Sequence, residues 1–169
     1  MSHVNFEFKA KTKDLVTPER KLQQLDPVFK GEDHQVDTYF NVPAGRLKLR
    51  EGNIENALIY YERENTKAAK QSDVILYQHK PATGLKEILT KVHGIKTVVD
   101  KKRRIYFVDN VKIHFDEVSG LGTFIEVEAI DKDGSMNVDI LKQQCDQFAK
   151  LFELNSQDYI ATSYSDMLL

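Results

Sequence analysis

Residues 111–129 read Val-Lys-Ile-His-Phe-Asp-Glu-Val-Ser-Gly-Leu-Gly-Thr-Phe-Ile-Glu-Val-Glu-Ala, and the fold turns on them. Two runs of alternating character flank Ser119-Gly120-Leu121-Gly122, the pattern of a β-hairpin with glycines where the turn needs positive φ. In the first arm Val111, Ile113 and Phe115 share one face, and Lys112, His114 and Asp116 share the other. In the second arm Ile125 and Val127 point one way, while Phe124, Glu126 and Glu128 point the other. Asp116, Glu126 and Glu128 therefore converge on one face of one hairpin. Neighbouring carboxylates raise one another's pKa, so this face calls for water or for a cation.

Working outward, the same period of two recurs along the chain. Residues 4–11 alternate strictly, with Val4, Phe6, Phe8 and Ala10 against Asn5, Glu7, Lys9 and Lys11. Thr17-Pro18-Glu19 opens a helix in which Thr17 caps, Leu22 and Leu25 form a buried stripe, and Pro27 limits extension. Residues 28–34 read as a loop and 35–41 as a strand. After the turn at Pro43-Ala44-Gly45, strands follow at 46–50 and 57–64, with a polar connection over 65–72 and a short strand at 74–77. Residues 81–84 break the pattern, and Leu85, Ile88, Leu89 and Val92 then mark one face of a helix ending near Gly94. Residues 96–108 form a strand with Val99, Lys101, Arg103 and Ile105 on one face. Asp131 to Ser135 turns into a helix capped by Asn137, with Val138, Leu141, Cys145, Phe148 and Phe152 inward. About eight strands and three helices, partly segregated, give an α+β fold with a largely antiparallel sheet. Alternation alone suits an open sheet and a closed barrel equally.

The bulk numbers narrow the class. The 169 residues suit one domain, 1–169, able to bury a core without staples. A net charge of −2 provides no global field to draw in nucleic acid or an anionic membrane, so neither is an expected partner. One cysteine, Cys145, forbids an internal disulfide and suits a reducing compartment. No apolar run reaches membrane-spanning length and the N-terminus has no leader pattern, so a soluble cytoplasmic protein is expected, with homodimerisation left open.

The polar faces are not evenly mixed. Acids mark the first strand (Glu7) and the hairpin (Asp116, Glu126, Glu128). Bases mark Lys9, Lys48, Arg50, Arg63, Lys101 and Arg103. Gathered carboxylates make an oxygen site for a hard cation such as Mg²⁺ or Mn²⁺. Gathered lysines and arginines make a cradle for phosphate oxygens. The same pattern also suits a solvated sheet face laced with salt bridges.

These residues together resemble the CYTH family, which contains class IV adenylate cyclases and thiamine triphosphatases. The resemblance runs through Asn5-Phe6-Glu7-Phe8-Lys9, set against the family's Glu-x-Glu-x-Lys, then Asp37-Thr38-Tyr39-Phe40 and Leu47-Lys48-Leu49-Arg50. It continues in Lys101-x-Arg103 before Ile105-Tyr106-Phe107, and in Asp116 to Glu128. The segment around Cys145, Phe148 and Ser163-Tyr164 is most similar to the bacterial class IV cyclase branch.

The resemblance implies a closed eight-stranded antiparallel barrel with flanking helices, its charged faces turned into a triphosphate tunnel. It implies Glu7, Glu126 and Glu128 as ligands of Mg²⁺ or Mn²⁺, with Asp116 ligating or orienting. Lys9, Lys48, Arg50, Arg63, Lys101 and Arg103 would hold the phosphates of a nucleoside or organic triphosphate, Lys9 and Arg103 taking part in catalysis; Lys67 or Lys70 are alternatives to Arg63. The implied activity is a class IV adenylate cyclase, ATP to cyclic AMP and pyrophosphate. An organic triphosphatase and a non-catalytic polyphosphate or nucleotide binder are the alternatives. Phe124, Tyr39, Tyr61 and His114 are candidates for an adenine pocket, although packing suits the aromatics better and a hydrogen bond to Asp116 suits His114. Asn5 departs from the family's first glutamate. Six bases and four acids leave +2, which a triphosphate of about −4 and one divalent ion balance; one well-held metal and a weak or absent second are expected.

Overall fold

The computed structural model describes residues 2–63, 68–81 and 84–169. Its strands are β1 (Ser2–Lys11), β2 (Val28–Phe40), β3 (Arg46–Glu51), β4 (Asn56–Arg63), β5 (Lys70–Gln78), β6 (Ile95–Val108), β7 (Val111–Val118) and β8 (Gly122–Asp131). They close into a barrel in the order β1-β5-β4-β3-β2-β6-β7-β8, and β8 pairs back onto β1. Every pairing is antiparallel. The β7–β8 hairpin that anchors the sequence reading turns at Gly120 (φ 80) and Gly122 (φ 105), both in the left-handed region that glycine enters without steric cost.

Closure turns the period of two into an inside and an outside. On β1, β7 and β8 the outward residues Phe6, Phe8, Ile113, Phe115, Ile125 and Val127 are buried beneath helix α3 (Val138–Leu151). Asn137 caps that helix by accepting from the Ile140 amide at 2.9 Å, and Leu141, Cys145, Phe148 and Ala149 pack inward. Each fully buried aliphatic or aromatic side chain of this layer contributes roughly 1.5–3 kcal/mol relative to exposure. Val138, at 38% exposed, stands outside the stripe the sequence pattern placed it in.

Four local expectations are corrected. Helix α1 (Val16–Leu22) is capped by Asp14, whose Oδ1 accepts from the Val16 and Thr17 amides, not by Thr17; Leu22 is buried but Leu25 is 44% exposed. Residues 28–34 are strand: β2 begins at Val28, and a register shift at Phe29/Gly31, with Gly31 at φ 119, hides its alternation. β5 starts at Lys70, so 70–72 is not loop; residues 64–67, with the alternative cation Lys67, and part of the 81–84 turn lie outside the described residues. Helix α2 (Leu85–His93) ends at Gly94 as its spacing predicts, but buries none of its residues: Ile88 and Val92 are 59% and 67% exposed.

The C-terminal segment supplies the last element. Tyr159 bridges to Ala10, the Ile160 amide donates to the Lys9 carbonyl at 2.9 Å, and Ser163 caps the short helix α4 (Tyr164–Met167). This lays the segment over one end of the barrel. Among the described residues no helix is long and apolar enough to cross a membrane.

Candidate active site in the barrel lumen

Strand alternation sends one set of side chains into the barrel, where they enclose a cavity of about 400 Å³. Nine of the ten residues singled out from the sequence line it: Glu7, Lys9, Lys48, Arg50, Arg63, Lys101, Arg103, Glu126 and Glu128. The tenth, Asp116, is fully buried behind Arg103. Adding Glu55 and Lys112, the lining carries seven cationic and four carboxylate side chains among the described residues.

The signs are less cleanly sorted than the linear pattern suggests. On the β2–β3–β6 side, Asp37 sits among the bases. Arg50 donates to its two oxygens at 2.9 and 2.8 Å through Nε and Nη2, Lys101 donates at 2.7 Å, and Lys48 stands 3.7 Å away. Burial alone would raise the Asp37 carboxyl; Arg50, Lys101 and Lys48 instead hold it well below the usual carboxylate range. Burial lowers Lys101 to about 7, against the pull of Asp37 and with help from Arg50 and Arg103. Glu55 neutralises Lys112 and accepts from Arg50 at 3.2 Å. Arg50, Lys101 and Lys112 thus have carboxylate partners supplied by the chain itself.

Arg103 crosses to the other side. Its Nε and Nη2 hold Asp116 in a two-point grip at 2.7 Å each, Nη2 also reaches Glu126 at 3.2 Å, and Tyr164 Oη donates to Asp116 at 2.8 Å. Both oxygens of Asp116 are therefore engaged, which suits the orienting role rather than the ligating one. Arg63 donates to Glu7 at 2.8 Å.

The β7–β8 side is different. In the strand register His114 lies directly opposite Glu126, and Glu128 lies opposite Glu7 on β1. His114 Nδ1 is 3.7 Å from Glu126 Oε2 and 4.0 Å from Glu128 Oε1, too far for hydrogen bonds, and neither ring nitrogen has a partner although the residue is fully buried. Its expected bond to Asp116 does not form. Burial and the nearby Arg103 lower the imidazole to about 3, so the ring is neutral. Burial would raise Glu126, but His114, Lys9 and Arg103 hold it well below the carboxylate range. Burial and the charges of Glu126 and Glu7 push Glu128 up to about 7. Glu126, Glu128 and His114 offer donor atoms all within 4.8 Å of one another. Asn5 Oδ1, on the same face of β1 as Glu7, is also buried without a partner. Orphaned acceptors and converging carboxylates fit a cation.

At the covered end, Lys9 Nζ donates to the Thr162 carbonyl at 3.3 Å and lies 4.1 Å from the Tyr164 ring centre. Burial lowers Lys9 to about 8, with Glu126 opposing and Arg63 assisting. Lys70 donates to the Ala161 carbonyl at 2.8 Å, and burial and Arg63 bring it to about 8. Tyr39 and Tyr61 line the lumen beside Lys48, whereas Phe124 is fully buried against Tyr164 at 4.9 Å and is packing. The opposite mouth is bordered by His3, Ile54, Asn56, Gln78 and His79.

Sequence reasoning missed Asp37, Glu55, Lys112 and Tyr164 as site residues, and named Lys70 only as an alternative to Arg63, whereas both Lys70 and Arg63 are present beside the lumen. Lys112 shares the parity of His114 and Asp116 and was there to be counted, and Asp37 lies within a quoted motif. Glu55 precedes β4, where alternation carries no information.

The CYTH domain family model matches residues 3–164. A Methanocaldococcus jannaschii protein named "Putative adenylate cyclase" is 25% identical over 97% of this chain and 98% of its own length. A Pyrococcus horikoshii structure superposes with a TM-score of 0.82 at 23% identity, covering 96% of this chain and 98% of that one. A Vibrio parahaemolyticus structure, also named a putative adenylate cyclase, gives 0.77 at 19% identity over 99% of each chain. At these identities the two structures speak for the fold alone.

Proposed function

The chain belongs to the CYTH domain family, and from that membership we propose that its lumen binds an organic triphosphate together with a divalent cation and turns it over as a class IV adenylate cyclase. The observation that carries the reading is one lumen cavity lined by seven cations and four carboxylates, with the unpartnered His114 buried beside Glu126 and Glu128. A polyanion chelated by a cation has the charge pattern that completes such a lining. The volume of about 400 Å³ suits a small ligand.

Glu126, Glu128 and Glu7 would hold Mg²⁺ or Mn²⁺, with Asp116 keeping Arg103 in place. Bound there, the ion would offset charge on the phosphoryl oxygens. Lys48, Arg50, Arg63, Lys101 and Arg103 bind and orient the phosphates from the remaining walls. In cyclisation the ribose 3′-oxygen bonds to the α-phosphorus, the bond from that phosphorus to the β-phosphate bridge breaks, and pyrophosphate leaves. The 3′-hydroxyl proton passes to a base, and Lys9, lowered to about 8 by burial, has a substantial neutral fraction near pH 8. Hydrolysis of a terminal phosphate on the same cradle is the second reading. It is favoured by the packing of Phe124 away from the lumen and by a mouth bordered by His3, Asn56, Gln78 and His79, which suits an organic end left protruding.

Incubation with ATP, thiamine triphosphate and tripolyphosphate, each with Mg²⁺ or Mn²⁺, separates the two. Cyclic AMP with pyrophosphate supports cyclisation, and orthophosphate supports hydrolysis. Binding without turnover refutes both and leaves a binding module. Glu126→Gln is expected to reduce turnover at least about a hundredfold with the fold intact; unchanged turnover removes the metal assignment.

A further inference from the structure

We infer that His114 is a third ligand of the metal held by Glu126 and Glu128, and that it makes the site select a first-row transition ion such as Mn²⁺ or Co²⁺ over Mg²⁺. This rests on the reading of the lumen as a metal–triphosphate site and goes beyond it, because a site built from carboxylates alone suits Mg²⁺ at least as well.

The geometry begins in the strand register. His114 and Glu126 are directly opposed across β7–β8, and Glu128 is two residues further along the same face. His114 Nδ1 faces one oxygen of each glutamate at 3.7 and 4.0 Å. An ion about 2.0–2.2 Å from each donor keeps neighbouring donors roughly 3–3.6 Å apart, so a small contraction of the three side chains makes the shell. The separations found are too long for hydrogen bonds and close to what an intervening cation requires.

The second observation is the isolation of the ring. His114 has no exposed surface, and both of its nitrogens lack a hydrogen-bond partner. A buried unpartnered polar group costs about 1–3 kcal/mol. A purely structural residue in this place would be expected to have either an apolar side chain or a partner. Asp116, the carboxylate next to it on β7, is committed to Arg103 and Tyr164 and does not supply one. What remains within reach of Nδ1 is the Glu126–Glu128 pair.

The selectivity follows from donor chemistry. Imidazole nitrogen is a good ligand for Co²⁺ and Zn²⁺ and a weaker one for Mn²⁺, whereas Mg²⁺ prefers oxygen and gives up water reluctantly. One nitrogen beside two carboxylates keeps the site hard enough to hold a phosphate-bridging ion while favouring the transition metals.

The test measures binding of the metal alone to the native protein and to His114→Gln, with pulsed EPR of the Mn²⁺ complex as a direct readout of ligation. The native protein is expected to bind Mn²⁺ and Co²⁺ at least about tenfold tighter than Mg²⁺ and to show ¹⁴N coupling from a directly bound imidazole. His114→Gln is expected to lose the coupling and most of the preference while keeping Mg²⁺ affinity within about threefold. If the variant does not fold, ¹⁵N-histidine labelling of a His3→Ala/His79→Ala protein answers the same question, since those are the two histidines that line the cavity itself. Metal bound with no nitrogen coupling and an unchanged preference in His114→Gln overturns the inference and leaves the triphosphate reading standing. Failure of any divalent ion to bind, with or without triphosphate, overturns both.

Discussion

On the β2–β3–β6 side of the lumen, three cations share one buried carboxylate, and the group is closed on itself: Arg50 and Lys101 bond Asp37, and Lys48 stands beside it. On the β7–β8 side, Glu128 is crowded by Glu126 and Glu7, and a buried histidine faces the pair with no bond made. Both sides are buried to a similar degree, so desolvation alone does not distinguish them. The difference is whether the chain supplies the counter-charge. Where it does, the charges are part of the architecture and shape a pre-set phosphate cradle. Where it does not, the fold carries an unresolved electrostatic cost, and the missing partner is the best guide to the ligand.

The sharpest way to break this contrast is Asp37→Asn. Removing the shared carboxylate leaves Arg50, Lys101 and Lys48 without it, and losing one partner of a buried ion cluster costs about 3–5 kcal/mol. Urea unfolding followed by circular dichroism, suited to a chain without tryptophan, reads the loss directly. The sign of the pH dependence is fixed as well. A carboxyl held below its unfolded pKa contributes fully above that pKa and loses its contribution as pH falls through the folded value. The gap between native protein and variant should therefore narrow below about pH 4. A gap that stays constant down to pH 2 would mean that Asp37 acts through packing and not through charge.

The opposite side should respond in the opposite direction. Glu128 is raised to about 7 in the folded chain by burial, Glu126 and Glu7. A raised carboxyl weakens the folded state progressively from the unfolded pKa up to the folded one, here between about pH 4.5 and 7, and by a constant amount above. With chelator present, Glu128→Gln should thus stabilise the protein by about 1–3 kcal/mol at pH 8 and little at pH 5. The same substitution should weaken metal binding, so stability and ligation would trade against one another at a single residue. Destabilisation at pH 8 would show that Glu128 has an internal partner and that the two sides do not differ.

The contrast was only half legible in the sequence. Period-two alternation carried the strands and, within them, the parity that places Glu7, Lys9, Arg103, Glu126 and Glu128 on one surface. It could not say that the surface closes, because an open sheet and a barrel alternate alike. It failed at Val28–His34, where the shift at Gly31 breaks the phase, and at α2, whose apolar spacing describes a face but not what covers it. His114 shows the subtler limit. Asp116 is its neighbour along the strand, but the residue directly across an antiparallel pair lies closer than the residue two along, and that residue is Glu126. Asp37 was invisible as a counter-charge for a similar reason: Arg50 and Lys101 come to it from 13 and 64 residues away.

Asn5 provides the smallest test and bears on how far the unresolved side extends. Six bases and four acids gave a lumen of +2. The structure adds Lys70 and Lys112 among the bases and Asp37 and Glu55 among the acids, so the balance is again +2 with different members. A triphosphate of about −4 and one divalent ion still sum to about zero, and a second ion would leave a surplus of the same sign as the walls. Asn5 is a neutral residue at the position where the family carries a carboxylate, and its Oδ1 is buried without a partner, so a second ion there would meet a neutral donor. Asn5→Glu supplies the charge that site lacks. Calorimetric titration in the presence of a non-hydrolysable triphosphate should show one tight ion in the native protein and a second, tightened by about tenfold or about 1.4 kcal/mol, in the variant. Two tight ions in the native protein would mean that the unpartnered Asn5 Oδ1 together with Glu7 already suffices, and that the carboxylate side holds more cation than its own charge demands.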